Sequence, residues 1–263
     1  MTAPRSDIVG TRRPVTAWFA VVFLLVGCAG RLRPLTPTTP EALLGAVSAR
    51  RKAVTSLRAR AHVKSGLARL WSRQALLVQR PAAIRIDVLS PFGLTLALGT
   101  HGDMLWVYPP AEGVLYEGPA TPANLARFVG APVAVQDLVD ILLGVPPERG
   151  VVGPIRLETV AGRQYQLTLP LADGAQRLRF AGDTLALVAV EEVHDERVTL
   201  RVGFEEYERG FPRRLEVEVP AAASSATLAY DAVEPNIVLS PGLFSPPGAD
   251  RILPLEAVGE ALH

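Results

Sequence analysis

A single cysteine, Cys28, in 263 residues excludes an intramolecular disulfide, so stability outside a reducing compartment must come from packing. Charge of one sign is also lacking. The formal net charge is +1 with no dense basic run, which argues against a nucleic-acid partner. The histidines are few, and His62, His101, His194 and His263 share no metal-ligand spacing. No G-x-S-x-G, H-E-x-x-H or G-K-[ST] sequence occurs, so the chain reads as a non-enzyme with no catalytic or metal-binding residue assigned. Long apolar runs are missing as well. The clearest covers eleven residues, Ala17–Gly27, well short of the roughly 20 that a membrane-spanning helix needs. What is abundant is scattered apolar character, 49% of residues, enough for a substantial core and against disorder.

That apolar character is organised around residues 84–98. Ile84, Ile86 and Val88 alternate with Arg85 and Asp87, and Leu94, Leu96 and Leu98 alternate with Thr95 and Ala97. Period-two alternation predicts two strands, each with one apolar face. Ser90-Pro91-Phe92-Gly93 between them predicts a tight turn, since proline presets φ and glycine admits positive φ. Phe92 then sits on a hairpin tip with no strand face to bury it, and an apolar partner outside the protein is one way to use it.

The amino-terminal segment explains the lone cysteine. Arg5, Arg12 and Arg13 precede the eleven-residue run, as in a signal peptide, and the run ends in Leu25-Val26-Gly27-Cys28. This resembles the lipobox of bacterial lipoproteins. The resemblance implies cleavage after Gly27 and lipidation of Cys28, whose acyl chains anchor a protein at about 0.8 kcal/mol per buried CH₂. In the lipoproteins it resembles, an aspartate after the cysteine favours inner-membrane retention; Ala29 stands there, so the resemblance implies the outer membrane. The expected organisation is a signal peptide over residues 1–27, a lipidated tether over 28–38 and one domain over 39–263. No cofactor is expected beyond the covalent lipid.

Thr39 with Pro40 and Glu41 predicts a helix start, and Leu43, Val47, Val54 and Leu57 fall on one stripe. Strands are expected over 56–65, 70–79, 104–108 and 114–116, at the spacing of an antiparallel meander. Two short helices follow, one from Pro122 with Leu125 and Phe128 inward, the other over 135–143 with Leu138, Ile141 and Leu142 inward. Strands resume after Gly153, among them T-L-A-L-V-A-V over 184–190. Glu191-Glu192 and Glu205-Glu206 read as solvated charges. About a dozen strands with two inserted helices predict a mainly β fold, an incomplete, half-open antiparallel barrel whose helices cover its concave mouth.

Two segments carry a family resemblance: D-V-L-S-P-F-G-L-T-L-A-L, and F-V-G-A-P-V-A-V-Q-D-L-V-D-I-L-L-G-V-P. With their order behind a lipobox, they resemble the outer-membrane lipoprotein receptor LolB over residues 57–147. The resemblance implies the LolA/LolB fold with an apolar cavity for acyl chains. It also implies a protein anchored in the outer membrane and facing the periplasm that receives lipoproteins from a LolA-like periplasmic carrier, and a monomer is expected. Phe92 takes the position of the exposed apolar residue needed for membrane insertion. Cavity candidates are Ile84, Ile86, Val88, Leu94, Leu96, Leu98, Trp106, Leu138, Ile141 and Leu142. The alternative is an envelope scaffold or sensor with the same fold and no transfer. Pro235–Leu255 has no place in the LolB pattern, and in the wider superfamily such a segment can pack on the barrel.

Overall fold

The computed structural model describes residue 2, residues 34–65 and residues 71–260. The signal peptide, Cys28 and Leu70 lie outside these residues. Thr39 accepts a hydrogen bond from the Ala42 amide at 3.3 Å and opens helix α1 (Pro40–Ala53), with Glu41 in its first turn and Arg50, Arg51 and Lys52 in its last. The helix stops before Val54. Val54 and Leu57 are therefore buried by the turn and the following strand, and of the expected stripe only Leu43 and Val47 are helical.

A meander of six strands follows: β1 (Ser56–Ser65), β2 (Ser72–Gln79), β3 (Ala83–Ser90), β4 (Gly93–His101), β5 (Met104–Tyr108) and β6 (Val114–Pro119). Helices α2 (Pro122–Val129) and α3 (Val135–Leu142) interrupt it. Thr121 caps α2 by accepting from the Asn124 amide at 3.2 Å, and Gly130 ends it at φ 77°, a left-handed conformation natural to glycine. Seven antiparallel strands complete the meander: β7 (Arg156–Val160), β8 (Gln164–Leu171), β9 (Gly174–Ala181), β10 (Leu187–His194), β11 (Arg197–Glu208), β12 (Phe211–Val219) and β13 (Ser224–Pro235). The expected strand over 184–190 starts later, at Leu187, because Thr184 to Ala186 form the turn and Leu185 adopts φ 56°.

All strands join one sheet in the order β14-β6-β5-β4-β3-β2-β1-β13-β12-β11-β10-β9-β8-β7, which does not close. Two pairings are non-local. β13 lies against β1, with Leu57 opposite Pro235, and joins the two halves. β14 (Arg251–Pro254) adds to β6 in parallel and covers its edge. The fold is thus mainly β, an open barrel with three α-helices among the described residues, and the strand alternation predicts its β character. Its main core lies on the concave face, under the helices. Residues 35–263 make up one compact unit that contains the entire sheet and this core.

The carboxy-terminal segment packs on the outer face. Gly99 lets the Trp106 indole lie flat on β4, where a Cβ would stand 2.6 Å from the ring. The indole N–H donates to the Phe244 carbonyl at 2.9 Å, and Arg85 stacks 5.7 Å from the ring. Beyond β14, Leu255 and Val258 turn into the main core.

Candidate functional site

An apolar cavity of about 240 Å³ lies between the concave face and the helices. Ile86, Val88, Leu96 and Leu98 line it from β3 and β4, and Leu138, Ile141 and Leu142 from α3. Val63 and Leu76 come from β1 and β2, Phe128 and Val129 from α2, and Leu215, Val217 and Leu228 from β12 and β13. The polar lining side chains are Ser72 and Gln74, and they satisfy each other: Gln74 donates to Ser72 at 3.1 Å, and Ser72 donates to the Val63 carbonyl at 3.2 Å. No ionisable side chain lines it among the described residues. Such a surface favours alkyl chains, since burying both partners removes apolar area from water. Among the described residues, none after Leu228 lines the cavity.

Seven of the ten expected cavity residues meet here. The other three lie elsewhere, each for a physical reason. Ile84 is fully buried in the main core, off the cavity lining. Leu94 is displaced by a bulge: Val88 pairs with Leu96 but Leu89 with Leu94, leaving Thr95 as an extra residue. Directly paired residues share a face, so Leu94 joins Leu89 on the outer side and is 37% exposed. Trp106 pairs with Gly99 and belongs to the outer cluster with Ala97 and Leu115, under the carboxy-terminal segment. Leu105 and Val107, its neighbours, face the core instead.

The lining residues from β12 and β13 were not among the expected cavity residues. Their alternation marks them as strand, but which strand neighbours β1 is a long-range matter that local pattern does not encode.

Phe92 is 100% exposed. The turn beneath it is fixed by Ser90, which accepts from the Phe92 amide and donates to the Gly93 carbonyl, both at 3.2 Å, with Gly93 at φ 123°. Trp71, 47% exposed, stands at the same end of the sheet, two residues before Arg73, which pairs with Leu89. Trp71 falls inside the strand expected over 70–79, but β2 begins only at Ser72 and leaves the ring outside the ladder. Val63, Ser72 and Val88 bring the cavity up to this end.

Ion pairs tie the helical cover to the sheet. Asp140 of α3 is 5% exposed and pairs with Arg51 of α1 and Arg80 of the β2–β3 turn. Arg80 also donates to the Val54 carbonyl at 3.2 Å, and Arg51 to the Pro146 carbonyl. At the start of α3, Asp137 receives both arms of Arg149 at 2.8 and 2.6 Å, and Arg149 meets Glu192 at 2.7 Å. Glu191 and Glu192, expected as solvated charges, are buried and ion-paired. Glu191 holds Arg179 and Arg201, each at 3.0 Å. Burial raises the Glu192 carboxyl above its ordinary pKa, against the attraction of Arg149. The Tyr230 hydroxyl donates to the Leu142 carbonyl at 2.9 Å, closing the far end of α3. Among the described residues no cluster of three metal-ligating side chains occurs, and no helix is long and apolar enough to cross a membrane.

No protein-family model matches the chain, and no curated protein is similar in sequence. Solved structures do match. A LolA superfamily protein from Nitrosomonas europaea superposes with a TM-score of 0.55 at 15% identity, over 80% of this chain and 99% of that one. A domain from Vibrio parahaemolyticus, named for outer-membrane lipoprotein sorting, superposes with a TM-score of 0.50 at 14% identity, over 79% and 97% of the two chains. The chain has the open-barrel fold of the LolA superfamily.

Proposed function

We propose that this chain is a LolB-like lipoprotein receptor. A lipid on Cys28 anchors it in the outer membrane, facing the periplasm. The cavity takes acyl chains of other lipoproteins from a LolA-like carrier, and the Phe92 end delivers them to the bilayer. The observation that supports this most is the pairing of an apolar cavity, free of ionisable lining groups among the described residues, with a fully exposed phenylalanine at the same end of the sheet. Exposed Trp71 gives that end a second membrane-seeking ring. The proposed role is binding and transfer, supported by a cavity walled mainly by apolar side chains.

The test is a depletion strain lacking the endogenous receptor activity. The native chain should restore outer-membrane lipoproteins, and Phe92→Asp should fail while accumulating to the same level. Equal rescue by both would remove the tip from the mechanism. A stoichiometric envelope partner recovered without acylated cargo would replace the receptor by the scaffold reading.

A further inference from the structure

A second cavity, of about 250 Å³, lies at the opposite end of the strands from the Phe92 turn. It is lined by Val47 and Arg50 of α1, Val145 after α3, Phe180 of β9, Leu187 of β10 and Tyr207 of β11. Its distinctive feature is Arg50. Nη1 donates to the Gly210 carbonyl, and the guanidinium carbon stacks 5.4 Å from the Phe211 ring centre. Nη2 is buried with no hydrogen-bond partner. It lies beside Gly144, whose added Cβ would stand 3.5 Å away. The other polar lining side chain is already occupied, because the Tyr207 hydroxyl donates to the Leu187 carbonyl at 2.5 Å. No carboxylate lines the cavity among the described residues, and Arg50 makes no ion pair among them. Burial disfavours the charged guanidinium and lowers its pKa, which a bound anion would reverse.

A half-buried cation with an unused donor, set beside apolar walls, gains from an anion that completes it. Every other side of the cavity rewards hydrocarbon. The volume equals roughly eight waters at about 30 Å³ each, which limits the ligand to a short chain. We propose that this cavity is a second ligand site, for a small amphiphile whose single oxyanion binds the Arg50 guanidinium and whose tail lies against Val47, Phe180 and Leu187. The site is separate from the acyl cavity and stands whether or not lipoproteins are transferred. A carboxylate and an alkyl phosphate share the required chemistry.

The experiment is an amide NMR titration of residues 35–263, the compact unit that holds the whole sheet, with hexanoate, hexyl phosphate, hexanol and inorganic phosphate. Hexanoate or hexyl phosphate should shift the Gly144, Ala186 and Gly210 amides saturably, and which one binds tighter identifies the head group. Hexanol should leave those three amides unmoved. Arg50→Gln should weaken the effective ligand about tenfold or more, the scale of one charge-assisted hydrogen bond. Should that variant fail to fold, the contrast of hexanoate and hexyl phosphate with hexanol in the native sequence decides alone. Shifts confined to amides of the acyl cavity, such as Ala131 and Ala226, would overturn the proposal. So would equal response to hexanol, or binding of inorganic phosphate alone.

Discussion

At the scale of single residues, position relative to the pleat decides what each apolar side chain can do. Leu96 faces the cavity while Leu94, two residues earlier, faces outward, because Thr95 bulges between them. Leu96→Trp should therefore fill the cavity and weaken binding of a fluorescent fatty acid by about tenfold or more, as overpacking a small site does. Leu94→Trp should leave that affinity unchanged, and equal loss in both variants would contradict the assignment of faces. Glu192 makes a prediction about pH. Its raised pKa means that the folded chain holds a proton that the unfolded chain releases. The unfavourable contribution of the ionised carboxylate is absent below the ordinary value of about 4.3 and complete above the raised folded value. Urea midpoints of the native chain should thus fall relative to Glu192→Gln as pH rises through that window. Parallel profiles would show that the carboxylate titrates normally.

At the scale of elements, α3 is a cover held at both ends. Asp140 joins it to α1 and the β2–β3 turn, and Asp137 joins it through Arg149 to β10. Removing one charge from a buried pair costs about 3–5 kcal/mol, so Asp140→Asn should lower stability toward that amount and speed hydrogen exchange in α3 before other helices. Uniform exchange across the chain would deny α3 its separate latch. The carboxy-terminal segment is a second structural device. Phe244 is buried beside Trp106, and Phe244→Ala should cost about 3–5 kcal/mol and alter Trp106 fluorescence, with the concave-face cavity intact. Elements were the most legible level of the sequence. Thr39, Thr121 and the Ser90-Pro91-Phe92-Gly93 turn act through neighbours within a few residues, so local pattern suffices for them. Glu191 and Glu192 were misread because their arginine partners arrive from other strands and from the segment after α3, and an isolated pair of acids looks solvated.

At the scale of the whole molecule, the sheet is open at β14 and β7, and its concave face holds an apolar cavity within the main core. Alternation and the two amphipathic helices made this architecture readable. The β1–β13 seam and the parallel β14 were not, since both join residues far apart in the chain. They decide which side chains line the cavity and why Trp106 does not. The central claim concerns what enters that cavity. Native mass spectrometry of residues 35–263 after incubation with lipoprotein-loaded periplasmic carrier tests it most directly. The account predicts an acylated lipoprotein moving onto this chain, with Leu96→Trp blocking the transfer. A carrier that keeps all its cargo, whichever variant is present, would contradict it.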